Sequence, residues 1–179
     1  MSDETRKYLN NFAMNVVKGA RQNLTKKGKN DSNALYNSLG KEVTVGKNSF
    51  SLAFFMEEYG SYLDQGVKGK ESSSRAPNSP FRFGTGSSTG GKSLSEIMTE
   101  YAKRKGFQWK DKKTGKFMSH QSMGYIMARS KYNKGVAPTM FFTKPFEAAF
   151  KRLPNELVER FGLDIDNLLE HSLNKNKRK

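Results

Sequence analysis

The sequence predicts an α+β fold: a small antiparallel sheet packed against a long N-terminal helix and further helices, with a long Gly/Ser-rich loop and a C-terminal helical arm. Three observations carry this expectation. Residues 3–27 place apolar side chains at helical spacing, two alternating runs flank Gly46-Lys-Asn48, and later helical stretches open on capping serines or on proline. The expected organisation is a single α+β domain over residues 1–153 with its extended loop at 67–92. A C-terminal helix and basic tail follow over 154–179.

In the first helix, Leu9, Phe12, Ala13, Val16, Val17, Ala20 and Leu24 share one face. Ser2 can cap its start, Asp3 and Glu4 favour the positive end of the dipole, and Lys26, Lys27 and Gly28 mark its end. One or two helical turns over Ala34 to Leu39 place Leu35, Tyr36 and Leu39 inward. Glu42 to Val45 and Ser49 to Phe55 alternate as a hairpin, with Val43 and Val45 facing Phe50, Leu52 and Phe54. Tyr59 to Gly66 is either a short helix or a wide turn, with Tyr59, Tyr62 and Leu63 on one side.

From Val67 to Lys92 the chain turns to Gly, Ser, Pro and Thr, a loop longer than compact domains usually carry without a function. Its serine-rich part is expected to be mobile unless a partner orders it, and Pro80 to Phe83 forms either a short strand or an anchoring contact. Ser93-Leu-Ser-Glu96 is a capping box opening a helix to about Lys105, with Leu94, Ile97, Met98, Tyr101 and Ala102 inward. A second helix covers about His120 to Asn133, burying Met123, Ile126 and Met127. Gly135 to Phe150 holds two prolines and four phenylalanines. Thr139 to Phe142 is expected to be extended, and Pro145 to stand at a helix start. Pro154 begins the last helix, which Gly162 can break.

The 179 residues suffice to enclose a core, yet apolar residues make up only 35% of them, so much surface is polar or becomes covered in an assembly. Cysteine is absent, which excludes disulfides and thiolate metal sites. No run approaches the roughly 18 to 20 apolar residues of a membrane span, and the first residues lack signal-peptide order. A chain made and used in a cytoplasm is the expectation.

The net charge of +15 favours contact with nucleic acid, an acidic protein or an anionic surface. Lys103, Arg104, Lys105, Lys110, Lys112, Lys113 and Lys116 face only Asp111, and Lys175, Lys177, Arg178 and Lys179 close the chain. Phe107, Trp109 and Phe117 interleave with the first cluster as a stacking platform would. The favoured alternative packs Trp109 beneath the neighbouring helices and leaves the lysines to water.

Nothing points to catalysis. His120 and His171 are the two histidines, and neither stands beside a carboxylate cluster. Gly86 to Ser93 fits the G-x-x-x-x-G-K-S phosphate-loop pattern, but the buried strand such a loop requires does not precede it. The expectation is a protein that is not an enzyme and uses no cofactor.

Several short motifs fall in a familiar order. A Leu-x-x-Ser-Leu segment (Leu35 to Leu39) is followed by the hairpin, Tyr-x-x-Tyr-Leu-Asp-Gln-Gly (Tyr59 to Gly66) and the glycine-rich loop. Gly-Phe-x-Trp (Gly106 to Trp109) and Gly-Val-x-Pro-Thr-x-Phe-Phe (Gly135 to Phe142) come later. Over Ala34 to Phe150 this resembles the neck and minor tail proteins of tailed bacteriophages, of the tail-completion or head-tail joining type. The chain departs from that pattern in its long first helix, its Ser72 to Gly91 loop and its last helix. The resemblance implies a cofactor-free structural protein of the virion, assembled in the host cytoplasm. It would form a homo-oligomeric ring around the DNA channel, against portal, connector or tail proteins. Its interface candidates are Tyr59, Tyr62, Phe81, Phe83, Phe141, Phe146, Phe150 and Phe161. Phe142 is expected in the core, with Phe146 and Phe150 on the last helix or on a neighbouring subunit. The alternative is a non-catalytic DNA- or RNA-binding accessory protein using the basic clusters.

Overall fold

A computed structural model describes residues 3–46, 49–85, 91–161 and 169–170. The protein is α+β, and among the described residues it has seven helices and two antiparallel sheets of two strands each. The chain divides into two compact units. One comprises Met1–Asp64 with Thr139–Lys179, and the other, Gln65–Pro138, is inserted within it. The hydrophobic core cluster of the described residues lies in the first of these units.

The first unit is built on α1, Asp3–Lys26, whose apolar stripe is fully enclosed at Ala13, Val16, Ala20 and Leu24. Helix α2, Ala34–Ser38, adds Leu35. Strands β1, Gly40–Val45, and β2, Phe50–Phe55, pair with Val43 opposite Leu52 and Gly40 opposite Phe55. Gly46 N–H donates to Ser49 O across the turn, while Lys47 and Asn48, also expected there, lie outside the described residues. Helix α3, Gly60–Gln65, follows. Beyond the insertion come α6, Thr143–Phe150, and α7, Asn155–Phe161.

Four phenylalanines close this core. The Phe12 ring meets Phe146 edge-on at 5.3 Å, and Phe54 meets Phe142 edge-on at 5.2 Å. Edge-to-face pairs at such spacing each add about 0.5–1.5 kcal/mol beyond the area they bury. Helix α6 lies close to α1, where a Cβ on Gly19 would come within 2.8 Å of Pro145. Pro145 falls in the first turn of α6, where its missing N–H costs no helical hydrogen bond. The extended run expected over Thr139 to Phe142 is absent. Met140 takes a left-handed φ of 52°, and the chain turns into the helix at Phe141 and Phe142. Residues from Pro154 onward begin as part of this core, since Leu157 is buried and Val158 and Leu169 pack on it. The break expected near Gly162 and the tail from 171 lie outside the described residues.

The second unit joins β3, Val67–Lys68, to β4, Gly135–Val136, a small sheet the sequence did not suggest. Gly135 (φ 81°) belongs there by necessity, because a Cβ would strike the Val67 carbonyl and the Gly69 amide. Helices α4, Leu94–Arg104, and α5, His120–Lys134, pack tightly at Gly124, where a Cβ would lie 2.7 Å from Thr99 N. The Ser93–Glu96 capping box is present with both of its reciprocal bonds.

Residues 67–85 of the long loop, whose serine-rich part was expected to be mobile without a partner, are tied by hydrogen bonds. Lys68 N–H donates to Phe81 O, Phe83 N–H to Lys68 O, and Lys70 N–H to Tyr132 O, each at 2.8 or 2.9 Å. Buried Ser79 donates its hydroxyl to Gly66 O at 2.7 Å. Backbone groups that pair across distant sequence cannot be read from composition, which is why serine and glycine suggested looseness here. Ile97 and Ile126, expected inside, are exposed, while Ala102, Met123 and Ala128 are the buried side chains of α4 and α5. None of the described helices is long and apolar enough to cross a membrane.

Candidate functional site

In the first unit, helix α3 turns Tyr62 to solvent, with Tyr59 exposed just before it. Gly60, Ser61 and Asp64 are buried, and Tyr59 and Tyr62 are exposed at 46% and 43%. Gly60 explains the choice, since a Cβ there would overlap Met56 Sδ at 2.6 Å and Leu35 Cδ1 at 3.0 Å. Only a residue without a side chain lets this turn lie so close, and that orientation drives Asp64 inward.

Asp64 has no solvent exposure. Its Oδ1 accepts Phe142 N–H at 2.7 Å and Thr143 N–H at 3.3 Å, and its Oδ2 accepts the Thr143 hydroxyl at 2.5 Å. The neighbouring backbone is tied as well. Thr139 N–H donates to Leu63 O and Asp64 O, the Thr139 hydroxyl to Leu63 O, and Met140 N–H to Asp64 O. Asp64 thus caps α6 from a distant part of the chain, serving amides that no intrahelical acceptor reaches. Burial raises its carboxyl above the ordinary value. The Thr143 hydroxyl and the Phe142 and Thr143 amides oppose that rise, and nearby Glu147 adds to it. With a hydroxyl and two amides as partners, this carboxyl positions α6. Sequence reasoning missed Asp64 because its partners lie more than seventy residues away.

Phe141 and Phe146, proposed as interface anchors, are wholly buried within the first unit, and Phe150 is partly buried against the same core. They are core residues, because the turn at Met140 points the whole cluster inward. Phe142 is in the core as expected. The Phe161 side chain lies outside the described residues. The exposed aromatics of this unit are Tyr8, Phe55, Tyr59 and Tyr62. Burial, followed by the charge of Glu57, raises the Tyr59 phenol above its ordinary value. An open groove of about 750 Å³ runs beside α1, with Lys18, Arg21, Lys26 and Lys41 around Met14, Val17 and Leu39. Arg21 stacks on Tyr36 and donates to the Tyr36 and Leu39 carbonyls.

In the second unit, Phe81 and Phe83 are half-buried, and Phe83 lies 5.7 Å from the Tyr132 ring. They anchor the 67–85 segment to α5. Lys103, Arg104, Lys105, Lys110, Lys112, Lys113 and Lys116 are all exposed, with Arg104 3.9 Å from Glu100. Lys110 and Phe117 pair across an antiparallel bridge, and Asp111 builds the turn between them. The Asp111 carboxylate accepts the Lys113 and Thr114 amides and the Thr114 hydroxyl, bonds that hold it below its ordinary value. The only acid among these lysines is therefore spent on the turn.

Trp109 is not buried beneath the helices as expected. It is 38% exposed, and Phe117 is 62% exposed. Phe107 takes the place beside Tyr101, and Trp109 stacks outward on Phe107 with their planes 19° apart. Exposed Ile97, Tyr125 and Ile126, which sequence reasoning did not single out as surface, belong to this unit too.

Residues 86–90 of the phosphate-loop pattern, and the cluster Lys175, Lys177, Arg178 and Lys179, lie outside the described residues. Lys92 pairs with Glu100, and Ser93 serves as the α4 cap. Among the described residues no group of three or more His, Asp or Glu could hold a metal ion. Comparison with family models, curated proteins and solved structures returned no match.

Proposed function

We propose that the protein is a structural subunit of a tailed-bacteriophage virion, at the neck or tail, in a tail-completion or head-tail joining role. One observation carries the reading. The two motifs behind the phage resemblance, Tyr59 to Gly66 and Gly135 to Phe142, meet through Leu63 and Asp64, which accept four bonds from Thr139, Met140 and Phe142 amides. This lock turns Tyr59 and Tyr62 outward on a rigid base. Exposed tyrosines on a fixed backbone bury large area at little entropic cost, as interface anchors do. The basic surface suits a ring through which DNA passes, since phosphate contact needs charge but no sequence reading.

Its partners in this reading are further copies of itself and the portal, connector or tail proteins beside it, in the virion, after assembly in the host cytoplasm. Electron microscopy and mass spectrometry of purified particles test it. The protein should be present at a fixed multiple per particle and occupy a ring between capsid and tail. Its absence from particles would refute the proposal.

A further inference from the structure

The geometry points to a binding site for single-stranded nucleic acid on the 105–117 ribbon of the second unit, with a base stacked on Trp109. This inference stands apart from the neck reading and holds or fails by itself. Strand alternation across the Lys110–Phe117 bridge sets Trp109 and Phe117 on opposite faces of the ribbon. The Trp109 face is a layered platform: Tyr101 meets Phe107 edge-on at 5.7 Å, and Phe107 stacks under Trp109 at 6.5 Å. Among the described residues Phe107 is the ring that stacks with Trp109, and Trp109 itself is 38% exposed. Such a ring accepts any base, because every base has a π-face.

The charge around it is one-sided. Lys110 lies 5.2 Å from the Phe117 ring, and Lys112, Lys113 and Lys116 stand exposed around the turn. Asp111, whose carboxylate accepts three donors in the turn, is the one acid among the four lysines and offsets one of their charges. The exposed amines of the turn and the exposed Trp109 ring belong to one short ribbon, which matches a strand whose phosphates and bases are both accessible. A duplex hides its base faces, and an acidic peptide offers charge without a ring to stack. The ligand class is therefore a single strand of DNA or RNA.

Trp109 is the only tryptophan in the chain, so its emission reports this site directly. The full-length protein is titrated with an oligothymidylate of about twenty nucleotides, longer than the roughly 4–16 a small site covers. The same titration is run with a duplex of equal length and with polyglutamate. The oligothymidylate should quench Trp109, and its affinity should fall with salt at a slope of about 0.7 per phosphate contact. Lys112→Ser with Lys113→Ser should lower that slope by about 1.4. Trp109→Ala should weaken binding of a labelled oligonucleotide about tenfold or more, whereas Trp109→Phe, which keeps a stacking ring and the fold, should stay near wild type. Binding without quenching, equal binding of the duplex, equal quenching by polyglutamate, or no binding at low salt would each overturn the proposal.

Discussion

Replacing Asp64 separates two roles that its carboxylate combines. Asp64→Ala removes the acceptor for the Phe142 and Thr143 amides and for the Thr143 hydroxyl. Hydrogen bonds to a charged group contribute about 1.5–3 kcal/mol, and a buried donor left unpaired costs about 1–3 kcal/mol. The hydroxyl can rotate to another acceptor, so the two amides dominate. Relief of the buried charge offsets part of the loss, which leaves an expected destabilisation of about 3–4 kcal/mol. Asp64→Asn keeps an acceptor for the amides and can donate to the Thr143 oxygen, so it should cost about 1 kcal/mol or less.

The pH dependence has a definite sign. Burial raises the native carboxyl above its ordinary value of 3.8, so the folded state holds the proton over an interval where the unfolded chain has lost it. The contribution of this group is complete below the unfolded value and is lost as pH rises through the raised native one. Urea unfolding followed by far-UV circular dichroism, which reads helices α1 and α6, measures both effects. Over the acid interval the wild type should lose stability with rising pH relative to Asp64→Asn. An Asp64→Asn as unstable as Asp64→Ala, or an Asp64→Ala within 1 kcal/mol of wild type (the lower edge of the hydrogen-bond range), would refute the reasoning.

Three further outcomes follow from the same structure. Phe146→Ala should destabilise the first unit by about 3–5 kcal/mol in urea unfolding, because its ring is fully enclosed; loss of assembly with unchanged stability would return it to an interface. Gly124→Val should push α4 and α5 apart and cost about 1–3 kcal/mol or more, read as a shifted unfolding midpoint of Trp109 emission; an unchanged midpoint would contradict the close packing at Thr99. Tyr62→Ser should change stability by no more than about 0.5 kcal/mol while lowering incorporation into particles, which quantitative mass spectrometry of virions detects.

What could be read from the sequence was whatever local chemistry decides. The α1 stripe, the β1–β2 alternation and the Ser93–Glu96 box rest on neighbours within a few residues, and the structure has all three. What could not be read depends on partners far along the chain. Asp64 stood among tyrosines in a polar stretch, and only the amides at 142 and 143 make it a core residue. The 67–85 segment looked loose because its acceptors lie at Tyr132 and Asn133. Phe141 and Phe146 looked available for an interface because proline corners around them gave no hint of the left-handed turn at Met140. Trp109, expected beneath the neighbouring helices, is exposed, and it is Phe107 that packs beside Tyr101.

The bonds from Thr139 to the Leu63 and Asp64 carbonyls have a consequence for modularity. They hold the two points where the insertion leaves and rejoins the first unit within hydrogen-bonding distance, 3.1 Å from amide to carbonyl. A gap so short can be bridged by a few residues, and closing a short loop forfeits little entropy. Joining Asp64 to Thr139 through such a linker would excise residues 65–138 and keep every residue of the phenylalanine core in one chain.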